Sequence, residues 1–330
     1  MNSRFPDGHV FLVAEADGQI GFGHLAEIRA IRQMLPASSC RAFALGAFVA
    51  AFADVEWLPA ISQMIEMIRS GRPEVVVWSL RRDSWKPLWP RIAAASNARH
   101  VWIADTDDDC PPVDLLIAPA LQSAAAESKR GVLRGPRYFP IERRNIPEFV
   151  PFHARRRDVL LTLGGADRSR ATPRLLPALG NVASTVVIGP GFAHAPRVRE
   201  LAAKHGVAVI ENQDGLLPLL AEHRMVISAG GNTLYEAAVT GTPALVAWED
   251  PHEQRQGEAF ASAGAARVVG RGVDIEPEQM KQAIAGFLRI DEWQRAAEAA
   301  RRLIDGRGAA RIAEAVEQLA GRPAEARILL

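Results

Sequence analysis

The sequence predicts a two-domain α/β protein in which two doubly wound parallel sheets follow one another along the chain. Three observations carry that prediction. The chain has 330 residues, more than the ~100–200 that one ordinary domain uses. Its composition, 48% hydrophobic and 23% charged with 26 Gly and 22 Pro spread throughout, is that of a chain that buries a core. Short runs rich in Val, Ile and Leu recur between longer segments of helical spacing, which is the pattern of βα units feeding parallel sheets.

In the first half, strands are expected at residues 10–14, 74–78, 100–104 and 114–118. In the second half they are expected at 158–163, 184–188, 207–211, 225–228, 244–247 and 267–269. Between the two series, residues 134–158 carry Pro136, Pro140, Pro147 and Pro151 with the basic runs Arg143-Arg144 and Arg155-Arg156-Arg157, and read as a solvated connection. The boundaries that follow are a first domain over 1–142, a linker over 143–157, a second domain over 158–305 and a C-terminal helical segment over 306–330. After Val269 the sequence turns to Ala, Glu, Gln and Arg at helical spacing, with breaks near Ile290 and at 306–308, and reads as closing helices.

Charge and cysteine content narrow the classes. The 39 basic residues nearly cancel 38 acidic ones, giving a formal charge of +1, so no general attraction to a polyanion acts and a nucleic-acid partner is not expected. Cys40 and Cys110 stand far apart in no metal-ligand spacing, which argues against a disulfide framework or a zinc site and fits a cytoplasmic protein. No apolar stretch approaches a membrane span, and the run at 10–13 follows Asp7 and His9 rather than a basic leader. The acidic run Asp105-Thr106-Asp107-Asp108-Asp109 has no second ligand cluster to pair with, so neither a metal nor another cofactor is expected. The segment from Arg81 to Trp89 mixes bases with Trp85 and Trp89 and reads as a partly buried loop or the wall of an acceptor site.

Four segments bear the residue types of a ligand site. Gly21-Phe22-Gly23-His24 lies between the opening strand and a helix whose inward stripe is Leu25, Ile28, Ile31 and Leu35. Glycine there lets backbone approach a ligand, and an imidazole at the mouth of a parallel sheet can take a proton from water or a hydroxyl near neutral pH. As a bare tetrapeptide it equally describes a helix-capping turn. Ser228-Ala229-Gly230-Gly231-Asn232-Thr233-Leu234-Tyr235-Glu236, ahead of Gly241-Thr242-Pro243, carries a strand through two glycines into a helix. That arrangement presents backbone amides to a diphosphate, with Glu236 on the first turn able to accept ribose hydroxyls. The same string contains a Thr233-x-x-Glu236 capping box and an ordinary helix stop. Gly164-Gly165-Ala166-Asp167 ends the first strand of the second half and brings more glycine backbone. The loop from Trp248 through Asp250, Gln254 and Gln256 offers carboxylates and amides for sugar hydroxyls, or else is a solvated helix start.

Together these segments, with Gly135-Pro136-Arg137-Tyr138, resemble the UDP-sugar hydrolases of the pseudaminic acid pathway and the related spore-coat polysaccharide proteins. Those are themselves similar to the transferases that make lipid-linked peptidoglycan precursors. The likeness runs over about residues 11–270. It implies a GT-B architecture of two Rossmann-like domains facing across a cleft, with a UDP-sugar as ligand. By that resemblance Gly164 and Gly165 approach the phosphates, backbone from Asn212 to Leu217 meets the uracil, and Gly230, Gly231, Asn232 and Thr233 hold the diphosphate. Glu236 binds ribose, either Gln254 or Gln256 touches the sugar, and His24, with Gly21 and Gly23 beside it, is the base that activates water at the anomeric carbon.

Hydrolysis releasing UDP and free sugar is the activity so implied, in nonulosonic acid or surface polysaccharide biosynthesis. Transfer to a glycan, lipid or protein acceptor is the first alternative, and a non-catalytic sugar-nucleotide-binding protein the second. Two departures bear on the choice. Glu27 stands where the family usually has arginine, and Trp78-Ser79 replace its acidic-aromatic pair. Both lie on the first-domain side, where a different second substrate would be felt.

Overall fold

The computed structural model describes residues 9–17, 21–47, 52–80, 87–104, 110–122, 131–211, 213 and 215–321. The chain divides into two compact units, one formed by Met1–Arg143 with Gly306–Leu330, the other by Arg144–Asp305.

The first unit is built on a parallel sheet of seven strands among the described residues. These are β1 (Val10–Glu15), β2 (Cys40–Leu45), β3 (Glu56–Leu58), β4 (Val75–Ser79), β5 (Arg99–Ile103), β6 (Leu115–Ala118) and β7 (Val132–Arg134), in the order β3-β2-β1-β4-β5-β6-β7. Strand β1 reads as an unbroken apolar run because both of its faces are covered. Val10, Leu12 and Ala14 pack with Leu25, Ile28, Ile312 and Val316, while Phe11 and Val13 pack on the opposite side with Met64, Ile68 and Trp78. The helices Gly23–Arg32 and Gly308–Ala320 thus share one face, and Ile61–Gly71 lies on the other.

Three of these strands, β2, β3 and β7, were not predicted. Strand β2 hides behind Arg41, whose charge suggests a loop. In the fold its guanidinium lies 5.0 Å from the centre of the Phe43 ring and forms a bidentate pair with Glu56 of β3, at 2.9 and 2.7 Å. Cation–π contact and cross-strand pairing let a cation sit in the strand next to the sheet edge. The C-terminal segment predicted from residue 306 is part of the first unit. Its helix donates from Arg311 Nη1 to the carbonyl of Arg137, at 2.8 Å, and buries Ile312, Val316 and Leu319.

The second unit carries β8 (Arg157–Thr162), β9 (Ser184–Ile188), β10 (Ala208–Glu211), β11 (His223–Ser228), β12 (Ala244–Trp248) and β13 (Ala266–Arg271), all parallel, in the order β10-β9-β8-β11-β12-β13. All six were predicted, because each alternates cleanly with a helix. One face packs Val159, Leu161, Ile188 and Ile227 against Val198, Leu201, Met280 and Phe287.

The reading of Arg155–Arg157 as solvated linker is corrected here. Arg156 and Arg157 are exposed, but Arg155 is 2% exposed and donates to carbonyls from Val150, Leu220, His223, Thr240 and Gly241. Three consecutive charges look alike in sequence; the backbone turn at Phe152–Ala154 points only the first of them inward.

Candidate functional site

In a doubly wound sheet the ligand crevice forms at the carboxyl edge, where the strand order reverses direction. In the first unit that point lies between β1 and β4, whose register pairs Ala14 with Ser79. The chain leaves β1, closes a turn in which Gly21 N–H donates to the Asp17 carbonyl at 2.8 Å, and enters the helix Gly23–Arg32. Gly21 has φ +90°, a value that side chains resist. Gly23 opens the helix, and Phe22 precedes it with no capping side-chain hydrogen bond.

His24 therefore stands beside the end of β4. Its Nδ1 lies 2.9 Å from Ser79 Oγ, and Ser79 Oγ–H donates to Glu27 Oε2 at 2.7 Å. Glu27 is one helical turn beyond His24, so both face the same strand, with Oε2 3.9 Å from Nδ1. Ser79 is fully buried and Glu27 nearly so. Alternation along β4 sends Trp78 to the opposite face. There it stacks on Trp102 at 6.4 Å and donates from Nε1 to His100 Nδ1 at 3.1 Å. The two sequence departures on this side are thus one feature, since Glu27 and Ser79 meet at His24 while Trp78 belongs to the core. A cavity of about 220 Å³ opens at the same edge, lined by Glu15, Asp17, Leu45, Ile61 and Leu80 among others.

In the second unit the order reverses between β8 and β11, which pair Thr162 with Ser228. Gly164 and Gly230 each lie two residues past that pair, so both glycine turns flank one crevice. Gly164 has φ +77° with open space where a side chain would project, and Gly231 is open in the same way. Gly230 has φ +112°, and a Cβ there would come within 2.7 Å of the Glu253 carbonyl oxygen. Gly165 is pressed against Gly189 of the next turn, whose own Cβ would meet Gly165 at 2.5 Å. Gly189 went unnoticed in the sequence because it looks like one more βα-turn glycine.

The helix Thr233–Thr240 starts from Asn232, which makes no capping side-chain hydrogen bond, so the Thr233-x-x-Glu236 capping box does not form. Leu234 and Tyr235 N–H turn back to the carbonyls of Gly231 and Asn232. The amides of Gly231 and Thr233 meet no acceptor among the described residues. Glu236 is half-buried on the first turn. Leu217 opens the helix Leu217–Glu222 with its side chain in the core, so only its backbone is available to a ligand. Asn212 and residues 81–86 and 105–109 lie outside the described residues.

The loop after β12 resolves into assigned parts. Gln256 is buried, donates from Nε2 to the Gly230 carbonyl at 2.6 Å and accepts from Tyr235 Oη at 3.1 Å. It fixes the glycine turn rather than facing outward. Gln254 is half-buried, its Nε2 2.9 Å from Glu258 Oε1. Asp250 caps the helix Pro251–Ser262, its Oδ1 accepting from His252 N and Glu253 N, while Oδ2 accepts from Arg168 at 3.1 Å. That carboxylate thus holds the loop together, as the helix-start reading implied. Arg168, which the sequence did not single out, also donates to Glu249 Oε2 at 3.2 Å and ties the turn after β8 to the loop after β12.

Burial pushes the Glu253 carboxyl up to about 7, and the charges of Asp250 and Glu249 act in the same direction. Its protonated form is favoured in the fold over the unfolded chain. Stability is therefore lost as pH rises from about 4.5 through about 7. Glu253→Gln, neutral throughout and still able to accept from Glu249 N, should raise stability at pH 8 by on the order of 1 kcal/mol and change nothing at pH 5. Thermal unfolding at the two pH values checks this.

Among the described residues no group of three or more His, Cys, Asp or Glu is placed to hold a metal ion, and no helix is long and apolar enough to cross a membrane.

Two parallel-sheet α/β units, each with its glycine turns at the strand-order reversal, define the GT-B fold, and solved structures agree. MurG of Acinetobacter baumannii matches 94% of this chain and 99% of its own at 14% identity and a TM-score of 0.62. The glycosyltransferase VinC, solved in complex with dTDP, matches 95% of this chain and 100% of its own at 17% identity, also with a TM-score of 0.62. In sequence, the spore coat polysaccharide biosynthesis protein SpsG of Bacillus subtilis (strain 168) is 29% identical over 175 residues, 49% of this chain and 50% of SpsG. The chain thus spans about half the length of that curated relative. No protein-family model matches the chain.

Proposed function

We propose that the protein is an enzyme that binds a UDP-sugar through its second unit and moves the sugar to an acceptor hydroxyl, with His24 as base. The observation that carries this reading is the convergence of Gly164 and Gly230 on the β8/β11 reversal, beside a helix start that its own side chain does not cap. Amides of Gly231 and Thr233 and the positive end of that helix suit a diphosphate and stabilise the charge it gains on leaving. Glu236 accepts from the ribose hydroxyls, backbone of 212–217 meets the base, and Gln254 is left to the sugar. Asp250 acts there by shaping the loop.

In the reaction the acceptor oxygen bonds to the anomeric carbon as its proton passes to His24. The bond from that carbon to the diphosphate oxygen breaks, and its electron pair leaves with UDP. The glycosyltransferase neighbours and the polysaccharide biosynthesis relative favour transfer over hydrolysis. Hydrolysis is retained as a second reading because Gly21-Phe22-Gly23-His24 resembles the hydrolases, and the same base would activate water. The cavity beside Leu45, Ile61 and Leu80 suits an acceptor that is partly apolar.

UDP release from a panel of UDP-sugars, followed by NMR, tests this. Turnover only with an acceptor is expected; turnover without one selects hydrolysis, and calorimetry that registers no heat with UDP overturns both. Gly230→Ala, which drives a methyl against the Glu253 carbonyl, is expected to weaken UDP binding by about tenfold or more in the same titration.

A further inference from the structure

We propose that Ser79 and Glu27 are positioning residues that fix the tautomer of His24, so that Nδ1 carries the proton and Nε2 is the atom that accepts one. This rests on the reading of His24 as the base.

The hydroxyl of Ser79 has one proton and serves two neighbours, His24 Nδ1 at 2.9 Å and Glu27 Oε2 at 2.7 Å. An ionised carboxylate only accepts, so the hydroxyl proton is directed to Glu27 and the Ser79 oxygen accepts from Nδ1–H. A neutral imidazole protonated at Nδ1 carries its lone pair on Nε2. When Nε2 takes the proton of the incoming hydroxyl, the ring becomes a cation whose Nδ1–H already points at Ser79, 3.9 Å from the Glu27 carboxylate. The carboxylate stabilises that cation and receives no proton itself. The Ser79 hydrogen stays where it was.

The arrangement depends on three separate parts of the fold. Helical spacing sets Glu27 over the same strand as His24, the β1/β4 register delivers Ser79 to the carboxyl edge, and strand alternation turns Ser79 toward the helix while Trp78 enters the core. In metal-binding histidines the partner of one ring nitrogen sets the tautomer and tunes the other, and the same logic applies to a base.

Ring-nitrogen NMR of histidine-labelled protein reads the tautomer without any turnover, so its result is separable from the fate of the proposed function. The wild type should show His24 protonated at Nδ1 and bare at Nε2. Ser79→Ala should shift it toward the Nε2-protonated form. A wild-type ring protonated at Nε2, or a tautomer unmoved in Ser79→Ala, overturns the proposal.

Kinetics with a UDP-sugar that turns over supplies the second readout. Ser79→Ala and Glu27→Gln, the latter keeping the side-chain volume, should each lower kcat by about 10–100-fold with KM changed by less than about threefold. In a His24→Ala background neither should lower kcat further, because their effect on the reaction passes through the ring. Equal losses in both backgrounds, or a rise in KM in place of the fall in kcat, would mark a merely structural contact and sink the idea.

Discussion

Replacing His24 by alanine is expected to lower the rate of sugar turnover by about 10²–10⁴-fold, the usual contribution of a positioned general base, while UDP binds as before. The two halves of this outcome come from separate parts of the chain. His24 belongs to the first unit, and every group assigned to the nucleotide belongs to the second. The helix Gly23–Arg32 is held by Leu25, Ile28 and Ile31, so loss of a half-buried ring at its start leaves its packing intact. Single-turnover measurement of UDP release gives the rate, and calorimetry with UDP gives the affinity. Undiminished release would remove His24 from the mechanism; lost UDP affinity would mean that it binds rather than reacts.

How much of this could be read in advance follows the physics of each element. The six strands of the second sheet were legible because each short Val-, Ile- or Leu-bearing run is set off from the next by a helical segment, as βα units require. Strands β2 and β3 were not, since Arg41 and Glu56 are accommodated there by pairing with each other, a contact between residues fifteen apart. The glycine turns were legible as turns that follow strands; their φ values are +77° at Gly164 and +112° at Gly230. Strand order, rather than local pattern, is what puts Gly164 and Gly230 on the two strands that flank the reversal.

Side-chain roles were read least well where a residue has two neighbours to choose from. Asp250 could be read either as a holder of sugar hydroxyls or as a helix start, and its carboxylate is found capping a helix. Glu27 and Ser79 registered only as departures from a family pattern, and their meeting needs helical periodicity and sheet register at once. The spacing left Gln254 and Gln256 equivalent; burial separates them, with Gln256 gripping the Gly230 carbonyl from behind.

Arg155 is the residue whose loss should cost the second unit most in stability. Its guanidinium meets six acceptors: Nε donates to Val150 O at 2.8 Å, Nη1 to Leu220 O, His223 O and Thr242 Oγ1 at 2.9, 2.7 and 2.7 Å, and Nη2 to Thr240 O and Gly241 O at 3.0 and 3.1 Å. It lies 5.0 Å from the centre of the Trp293 ring, and burial lowers its pKa to about 10, which leaves it charged at neutral pH. A buried cation without a carboxylate is tolerable here because Thr240 and Gly241 end the helix Thr233–Thr240, where the backbone dipole is negative. Arg155→Met would take their cationic donor from the carbonyls of Val150, His223, Thr240 and Gly241, and the expected loss is about 3–5 kcal/mol, as when one side of a buried charged network is removed. Arg155→Lys should recover little of it, since an ammonium has three donors and lacks the planar fork. Denaturant unfolding of the second unit measures the loss. The same helix begins at the glycine turn assigned to the diphosphate, so UDP affinity should fall with Arg155→Met even though Arg155 holds only its far end; unchanged stability and affinity together would show that the carbonyl cluster finds other donors.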